Sequence, residues 1–300
     1  MPAEGIHLTS LAEARASFKL APAARAALVR HQDEGRAGAI VLDLPYFDRY
    51  AVEVVRYAAK LAPRPSPFGS VVHERAAVPI LLALLDEARA ARSEALAAMA
   101  LGVASHATID RTLHPLINAL AVRFADGLAH DAAHREVEKF QSICFHEGYF
   151  GRDRMGTPGI VSLVYVPLVE LLGASRLGPA VAKCFATAMS PAPSLDVLSG
   201  MGCGYEQHAW LIGTVIGKRV APPRDKERAR PRFMSGAWGT FEARLEGAIS
   251  KSIPVIELAW ALYDADDAGA AGARAALLEA LPIGSIDAMG EPSLLERPAS

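Results

Sequence analysis

The sequence has few cysteines and almost no net charge. Its 300 residues include three cysteines, Cys144, Cys184 and Cys203, and no two of them form a CxxC pair. An odd number of widely spaced cysteines argues against a disulfide framework and favours a reducing compartment. The 31 basic and 33 acidic residues give a formal charge of -2. The composition therefore carries no strong signal for nucleic acid or an anionic membrane as a partner.

Long hydrophobic runs are also scarce. The longest apolar window, 159–174, contains Pro167 and Glu170 and is shorter than the roughly 20 residues that span a bilayer. The first residues carry Glu4 and Glu13 and lack the apolar run of about 7 to 15 residues that a secretory signal requires. We therefore expect no transmembrane helix and a cytoplasmic protein, whose oligomeric state the sequence leaves open.

The composition predicts an all-α protein. Ala, Leu, Glu and Arg dominate, and the alternation of β-branched residues that marks strands is rare. Loops rich in Pro, Gly or charge are expected at 64–70, 151–159 and 222–232, and a poorly ordered tail is expected from Ser285 onward. Helices are predicted over 9–31, 47–62, 75–98, 98–124, 131–149, 160–172, 176–189, 239–250, 255–264 and 269–280.

A ladder of polar residues interrupts an apolar helix in the stretch SHATIDRTLHP, 105–115. His106, Asp110 and His114 follow one another at intervals of four, and each such step turns a side chain by only about 40° around a helix. All three therefore share one face. Burying two imidazoles around a carboxylate costs several kcal/mol unless something compensates them. A metal ion or an ion-pair network would do so.

A second spaced pair, His134 and Glu138, lies on the next predicted helix. If the two helices form an antiparallel hairpin around residue 124, His134 stands level with His114, and Glu138 stands level with Asp110. The hairpin predicts one shared cavity lined by His and carboxylate side chains. Such a donor set suits Zn²⁺, with Fe or Mn as alternatives.

Three earlier residues also look functional. Asp43 interrupts the apolar run AIVLDLPYF just before a proline, and a carboxylate there needs a partner. His73 begins a helix after the Pro/Gly-rich loop, and His7 stands near the start of the chain in GIHLTSL.

The order of these residues resembles that of the zinc-dependent phospholipase C family, which shares its fold and metal cluster with the zinc-dependent single-strand nucleases. That family has an N-proximal His, an Asp, a His, a His-x3-Asp pair, a further His and a His-x3-Glu pair. The resemblance implies a multi-helix bundle with a metal cluster between helices. It covers about residues 1–150 and rests on eight positions in order: His7, Asp43, His73, His106, Asp110, His114, His134 and Glu138.

The resemblance implies cleavage of a phosphodiester by metal-activated water, with two or three Zn²⁺ ions as cofactors and a phospholipid among the candidate substrates. Asp43 would accept the proton of the attacking water. The family's secreted members complete a third site with an N-terminal Trp, whereas this sequence has Met1 there. By the resemblance, one ion would be held by Asp43, His73, His106 and Asp110, a second by His114, His134 and Glu138, and a third by His7 with the bridging Asp110.

The resemblance divides the chain in two. Residues 1–150 would form the metal-binding helical core. Residues 151–300 would form a C-terminal helical extension that packs on this core and whose function the sequence does not indicate.

Other interpretations remain open. His130 and Asp131 form an adjacent His-Asp dyad, as in helical metal-dependent phosphohydrolases of the His-Asp superfamily. Cys203 and His208 form a further conceivable soft site, although packing is the simpler account of both. A third alternative is a non-catalytic helical binding module that a metal stabilises.

Overall fold

The chain folds into α-helices. The computed structural model describes residues 4–62, 64, 66–123, 127, 129–151, 154–220 and 238–287, and these contain no β-strand. The helices are α1 (Glu4–Ala16), α2 (Pro22–Arg30), α3 (Gln32–Val41), α4 (Tyr50–Ala58), α5 (Gly69–Val71), α6 (Ala77–Ala91), α7 (Glu94–Arg123), α8 (His130–Phe150), α9 (Pro158–Val164), α10 (Leu168–Leu171), α11 (Gly178–Ala188), α12 (Leu195–Ile212), α13 (Val215–Val220), α14 (Trp238–Asp264) and α15 (Ala270–Ala280).

The 30-residue helix α7 is the central element of the fold. Helices α3, α6, α8 and α14 all pack against it, and most of its residues from Leu96 to Ala121 are buried. This explains why α7 is apolar around much of its circumference, since a helix surrounded by others has no solvent face. Its few polar residues therefore stand inside the protein.

Two glycines let α3 and α7 approach each other closely. A Cβ atom added to Gly38 would lie 1.9 Å from the carbonyl oxygen of Met99. One added to Gly102 would lie 2.1 Å from the carbonyl oxygen of Gly35 and 2.7 Å from the amide nitrogen of Ala39. Only glycine fits at such a backbone contact. The contact sets the end of α3 directly beside the part of α7 that carries His106.

Both halves of the sequence contribute to the larger apolar core, which contains Leu8, Ile40 and Leu101 as well as Phe185 and Ile256. A second apolar cluster joins α7, α8 and α14. The division of the chain at residue 150 stays a prediction.

The predicted helix boundaries differ from the observed ones mainly at proline and glycine. The segment 9–31 is two helices, the second beginning at Pro22, and 160–172 is interrupted at Pro167. By contrast, Pro254 lies inside the continuous helix α14, where two helices were expected. The helices α3 and α12 were not predicted; both contain glycines, which have low helix propensity. The predicted loop 222–232 lies outside the described residues.

The prediction of a poorly ordered tail is wrong for its first residues. Ile286 is fully buried, and its amide donates a hydrogen bond to the carbonyl oxygen of His73 at 2.9 Å. The remainder of the tail, 288–300, lies outside the described residues. A membrane span is not found in the part of the chain that the structure describes, because none of its helices combines the necessary length and apolar character.

Candidate metal centre

The ladder on α7 occupies one buried face, as its spacing predicts. The Nε2 atom of His106 lies 3.0 Å from Oδ2 of Asp110, and Nε2 of His114 lies 3.6 Å from Oδ1 of the same carboxylate. A fourth residue, Asn118, continues the steps of four and is also buried. Asp110 thus stands between two imidazoles of its own helix.

Two more residues reach this part of α7, one from α1 and one from the turn that follows α3. His7 of α1 places its Nε2 atom 3.1 Å from Oδ1 of Asp110, and its ring stacks on that of His106 with centroids 3.9 Å apart. Asp43 follows α3, whose close packing on α7 brings Oδ1 of Asp43 to 4.0 Å from Nε2 of His106. The close α3–α7 contact therefore positions part of the site.

His73 lies on a wide helical turn. Residues Val72–Ala76 form a π-helical turn between α5 and α6, a distortion that often occurs at functional sites. Its Nε2 atom lies 3.2 Å from Oδ1 of Asp43 and 3.7 Å from Oδ2 of Asp110. His73 therefore lies between the two buried carboxylates.

The α7–α8 hairpin adds a second pair. Nε2 of His134 lies 3.3 Å from Oε1 of Glu138, and the rings of His114 and His134 stand 5.4 Å apart in edge-to-face contact. The register predicted from the sequence thus brings His134 to His114. Asp287, which was not predicted, joins them with Oδ1 at 2.8 Å from Nδ1 of His114.

Backbone carbonyls fix the tautomers of His73 and His106. The Nδ1 atom of His106 lies 2.7 Å from the carbonyl oxygen of Ala39, and that of His73 lies 3.2 Å from the carbonyl oxygen of Gly69. A carbonyl oxygen only accepts, so Nδ1 carries the hydrogen in both rings. In a neutral ring, Nε2 then presents its lone pair to a carboxylate. Two acceptors in contact require a cation between them, either a proton or a metal ion.

The pKa values show how strongly the buried carboxylates attract cations. Burial alone would lower the pKa of His106 and His114, but Asp110 outweighs this, with Asp43 and Asp287 adding to it, and the pKa rises to about 9 and about 10. Burial would raise the pKa of Asp110, but His106, His114 and His7 hold it well below its ordinary value. A proton and a metal ion would compete for the same positions.

The donor atoms fall into three compact groups, each with all ligand atoms within 4.8 Å of one another. No ion is present. All eight residues predicted from the sequence take part in this cluster, and Glu138 does so through His134. The three groups are His7, His106 and Asp110; Asp43, His73 and His106; and His114, His134 and Asp287.

Exposure increases from one end of the cluster to the other. The side chain of His106 is fully buried, that of His134 is 14% exposed and that of Asp287 is 36% exposed. A ligand from solvent would therefore reach the cluster from the side of His134 and Asp287.

A further buried polar group lies beside α1. Glu4 is buried, which raises the pKa of its carboxyl to about 8. Its Oε1 atom lies 3.6 Å from Nε2 of His208, whose Nδ1 contacts the Tyr50 hydroxyl at 3.1 Å. Cys203 is exposed, with its sulfur accepting from Gln207, whereas His208 is buried. The two residues of the conceivable soft site therefore have different surroundings.

Of the His-Asp dyad, the structure describes the side chain of His130. His130 places Nε2 at 3.2 Å from Oδ1 of Asn118 and its ring 6.1 Å from that of His134. It thus borders the cluster as a partner of Asn118. The side chain of Asp131 lies outside the described residues, so the dyad stays a hypothesis.

Comparison of the chain with protein-family models, curated proteins and solved structures finds no match.

Sequence reasoning missed Asn118, Glu4 and Asp287. Asn118 carried a signal, because it stands four residues after His114 on the same ladder. Glu4 stands three residues before His7 and so shares its helix face. Asp287 carried none, because its neighbours in the sequence show no pattern that links it to residues of α7.

Proposed function

We propose that the protein is a zinc-dependent hydrolase of phosphoesters, with the fold and cleavage chemistry of the zinc-dependent phospholipases C. One observation carries the proposal: imidazoles from four separate segments point Nε2 at three buried or nearly buried carboxylates. The resemblance in residue order supports the same conclusion. A phospholipid is one candidate substrate among phosphoesters.

The donor set fits zinc. Zn²⁺ binds imidazole nitrogen and carboxylate oxygen, and catalytic zinc sites use three protein ligands of these kinds and leave a position for water or substrate. The fixed Nδ1 hydrogens of His73 and His106 leave Nε2 free to bind an ion, and acceptors on Nδ1 accompany almost all metal-binding histidines. Asp43, His73, His106 and Asp110 would hold one ion, and His114, His134 and Glu138 a second. His7 with Asp110 would hold a third.

The residues of the cluster would have different roles in cleaving a phosphoester. When bound, the ions polarise phosphate oxygens and lower the pKa of water. Asp110, which contacts imidazoles on both sides, holds the two ends of the cluster together. Asp43 contacts His73 and His106 through Oδ1, so its second carboxylate oxygen is the candidate for accepting a proton from water. The more exposed side at His134 would admit the substrate.

The proposal is tested by metal content and activity measured together. We expect two or three zinc equivalents per chain by plasma mass spectrometry. Asp110→Ala should keep about one, the ion at His114, His134 and Glu138, and His134→Ala should hold one fewer than wild type. Asp43→Asn should keep most of its zinc but cleave bis(p-nitrophenyl) phosphate or a phosphatidylcholine vesicle about 10² to 10⁴ times more slowly. Asp267→Asn, which removes an exposed carboxylate, serves as the matched control and should behave as wild type.

Each contrary result has a definite meaning. A wild-type chain without metal, with Asp110→Ala still folded, would leave a buried polar network and contradict the proposal. Zinc without activity on any phosphoester, together with unfolding on chelation, would instead indicate a metal-stabilised binding module. Full turnover by Asp43→Asn with its zinc retained would remove Asp43 from the mechanism.

A further inference from the structure

Asp287 joins the cluster from far away in the sequence. It follows His114 by 173 residues, yet its Oδ1 atom lies 2.8 Å from Nδ1 of His114 and accepts a hydrogen bond from Nδ2 of Asn118 at 2.8 Å. The resemblance assigns no role to any residue beyond 150. This carboxylate therefore needs an explanation of its own.

Several contacts fix the segment that carries Asp287. The amide of Ile286 donates to the carbonyl oxygen of His73 at 2.9 Å, and the Ile286 side chain is fully buried. The guanidinium of Arg111 lies 3.4 Å from the carbonyl oxygens of Gly284 and Ser285. The segment is thus attached both to the turn that bears His73 and to α7, the helix that bears His114.

The chemistry of the contact fixes the tautomer of His114. The Oδ1 atom of Asp287 accepts from Nδ2 of Asn118 and faces Nδ1 of His114 as an acceptor too, so Nδ1 of His114 carries the hydrogen. Its Nε2 is then the atom that faces Asp110 at 3.6 Å. The amide nitrogen of Asn118 faces Asp287, which leaves the amide oxygen for Nδ1 of His134 at 2.8 Å. Asp287 and Asn118 together orient both imidazoles of the second group.

We propose that Asp287 is a positioning residue for the second metal site, holding His114 so that Nε2 presents its lone pair to the ion. The inference rests on the metal binding proposed above. It gives His114 the same arrangement as His73, His106 and His134, each of which has an oxygen at Nδ1. Loss of such an outer partner typically weakens metal binding 10- to 100-fold.

The test is a zinc titration of the full-length protein against a chelating indicator. Asp287→Ala should bind its second-site ion about 10 to 100 times more weakly than wild type, while the ion at Asp43, His73 and His106 keeps its affinity and reports that the fold is intact. Asp287→Asn retains an oxygen that can accept from Nδ1, so most of the affinity should return. Asp267→Asn loses an equal charge at an exposed position and should match wild type.

The outcomes separate this inference from the proposed function. Wild-type protein that binds no zinc would overturn both. Two-site binding in wild type with unchanged affinity in Asp287→Ala would overturn the positioning role alone. Complete loss of the second ion in Asp287→Asn, as in Asp287→Ala, would also overturn it, because Asp287 would then be a direct ligand.

Discussion

The close contact between α3 and α7 yields a quantitative prediction for Gly102→Ala. The added methyl would lie 2.1 Å from the carbonyl oxygen of Gly35, whereas ordinary contacts begin at about 3.4 Å. The two backbones must therefore separate locally by about 1.3 Å, the difference of these distances. Forcing extra volume into a packed core costs about 1 to 3 kcal/mol. Because the atom in the way is backbone and cannot rotate aside, we expect the upper part of that range.

The control is Gly247→Ala in α14, where an added Cβ meets nothing within 4 Å. Alanine in a helix interior is more stable than glycine by up to about 1 kcal/mol, so this variant should be neutral or stabilised. Urea denaturation followed by circular dichroism measures both changes, since the midpoint shifts while the slope stays the same. The two substitutions share their chemistry and differ only in the space around them.

The same perturbation should reach the metal centre. The methyl at position 102 would also lie 2.7 Å from the amide nitrogen of Ala39, and the carbonyl of Ala39 accepts from Nδ1 of His106 at 2.7 Å. Separating the helices therefore lengthens this bond, and zinc affinity should fall in Gly102→Ala but not in Gly247→Ala. A Gly102→Ala protein as stable as wild type, with its zinc affinity intact, would refute the close contact on which the argument depends.

Three further predictions concern stability. Burial raises the pKa of Glu4 to about 8 from 4.5, so its ionisation opposes folding as the pH rises from 4.5 to 8. In urea titrations, the free energy of unfolding of Glu4→Gln should match that of wild type near pH 4. Relative to wild type it should then rise by up to about 1.4 kcal/mol per pH unit across that range. A constant difference at all pH values would contradict this. Tyr205→Phe removes the buried hydroxyl that donates to the Val164 carbonyl. It should lower the free energy of unfolding by about 1 to 2 kcal/mol without altering zinc content. An unchanged urea midpoint would count against this hydrogen bond. Removing zinc with a chelator should lower the melting temperature, since free zinc at about 100 times its Kd stabilises the folded chain by about 2.7 kcal/mol, and an unchanged melting temperature would argue against a bound ion.

Local spacing made much of the site predictable. His106, Asp110 and His114 share a face because a helix repeats nearly every four residues, and this holds wherever the helix lies. The same rule would have included Asn118. The meeting of His134 with His114 followed from the level of two antiparallel helices. These inferences needed only the assumption of helices, which the all-α structure confirms.

Helices α3 and α12, which contain glycines, show why other parts of the fold could not be predicted from the sequence. Helices at 32–41 and 195–212 were not predicted. Gly38 and Gly204 in these helices, like Gly102 in α7, stand where another backbone approaches. A Cβ on Gly204 would lie 2.3 Å from the carbonyl oxygen of Phe47, in the turn just after Asp43. Tertiary packing outweighs a propensity difference of about 1 kcal/mol, and a single sequence does not show which contacts will form.

The contact of Asp287 with His114 could not be predicted from local spacing, because 173 residues separate the two. It also shows why the C-terminal half packs beside α7. Helix α7 sets the spacing of the ladder, but an imidazole can still rotate about its own bonds, and a hydrogen bond from Nδ1 to an oxygen holds the ring in place. For His73 this oxygen is the carbonyl of Gly69, four residues earlier in the chain, and for His106 it is the carbonyl of Ala39 on α3, which packs against α7. His114 stands near the more exposed end, where no such backbone carbonyl contacts its Nδ1 among the described residues. A side chain from the C-terminal half provides the oxygen there, so the second half of the chain is part of the site that the first half begins.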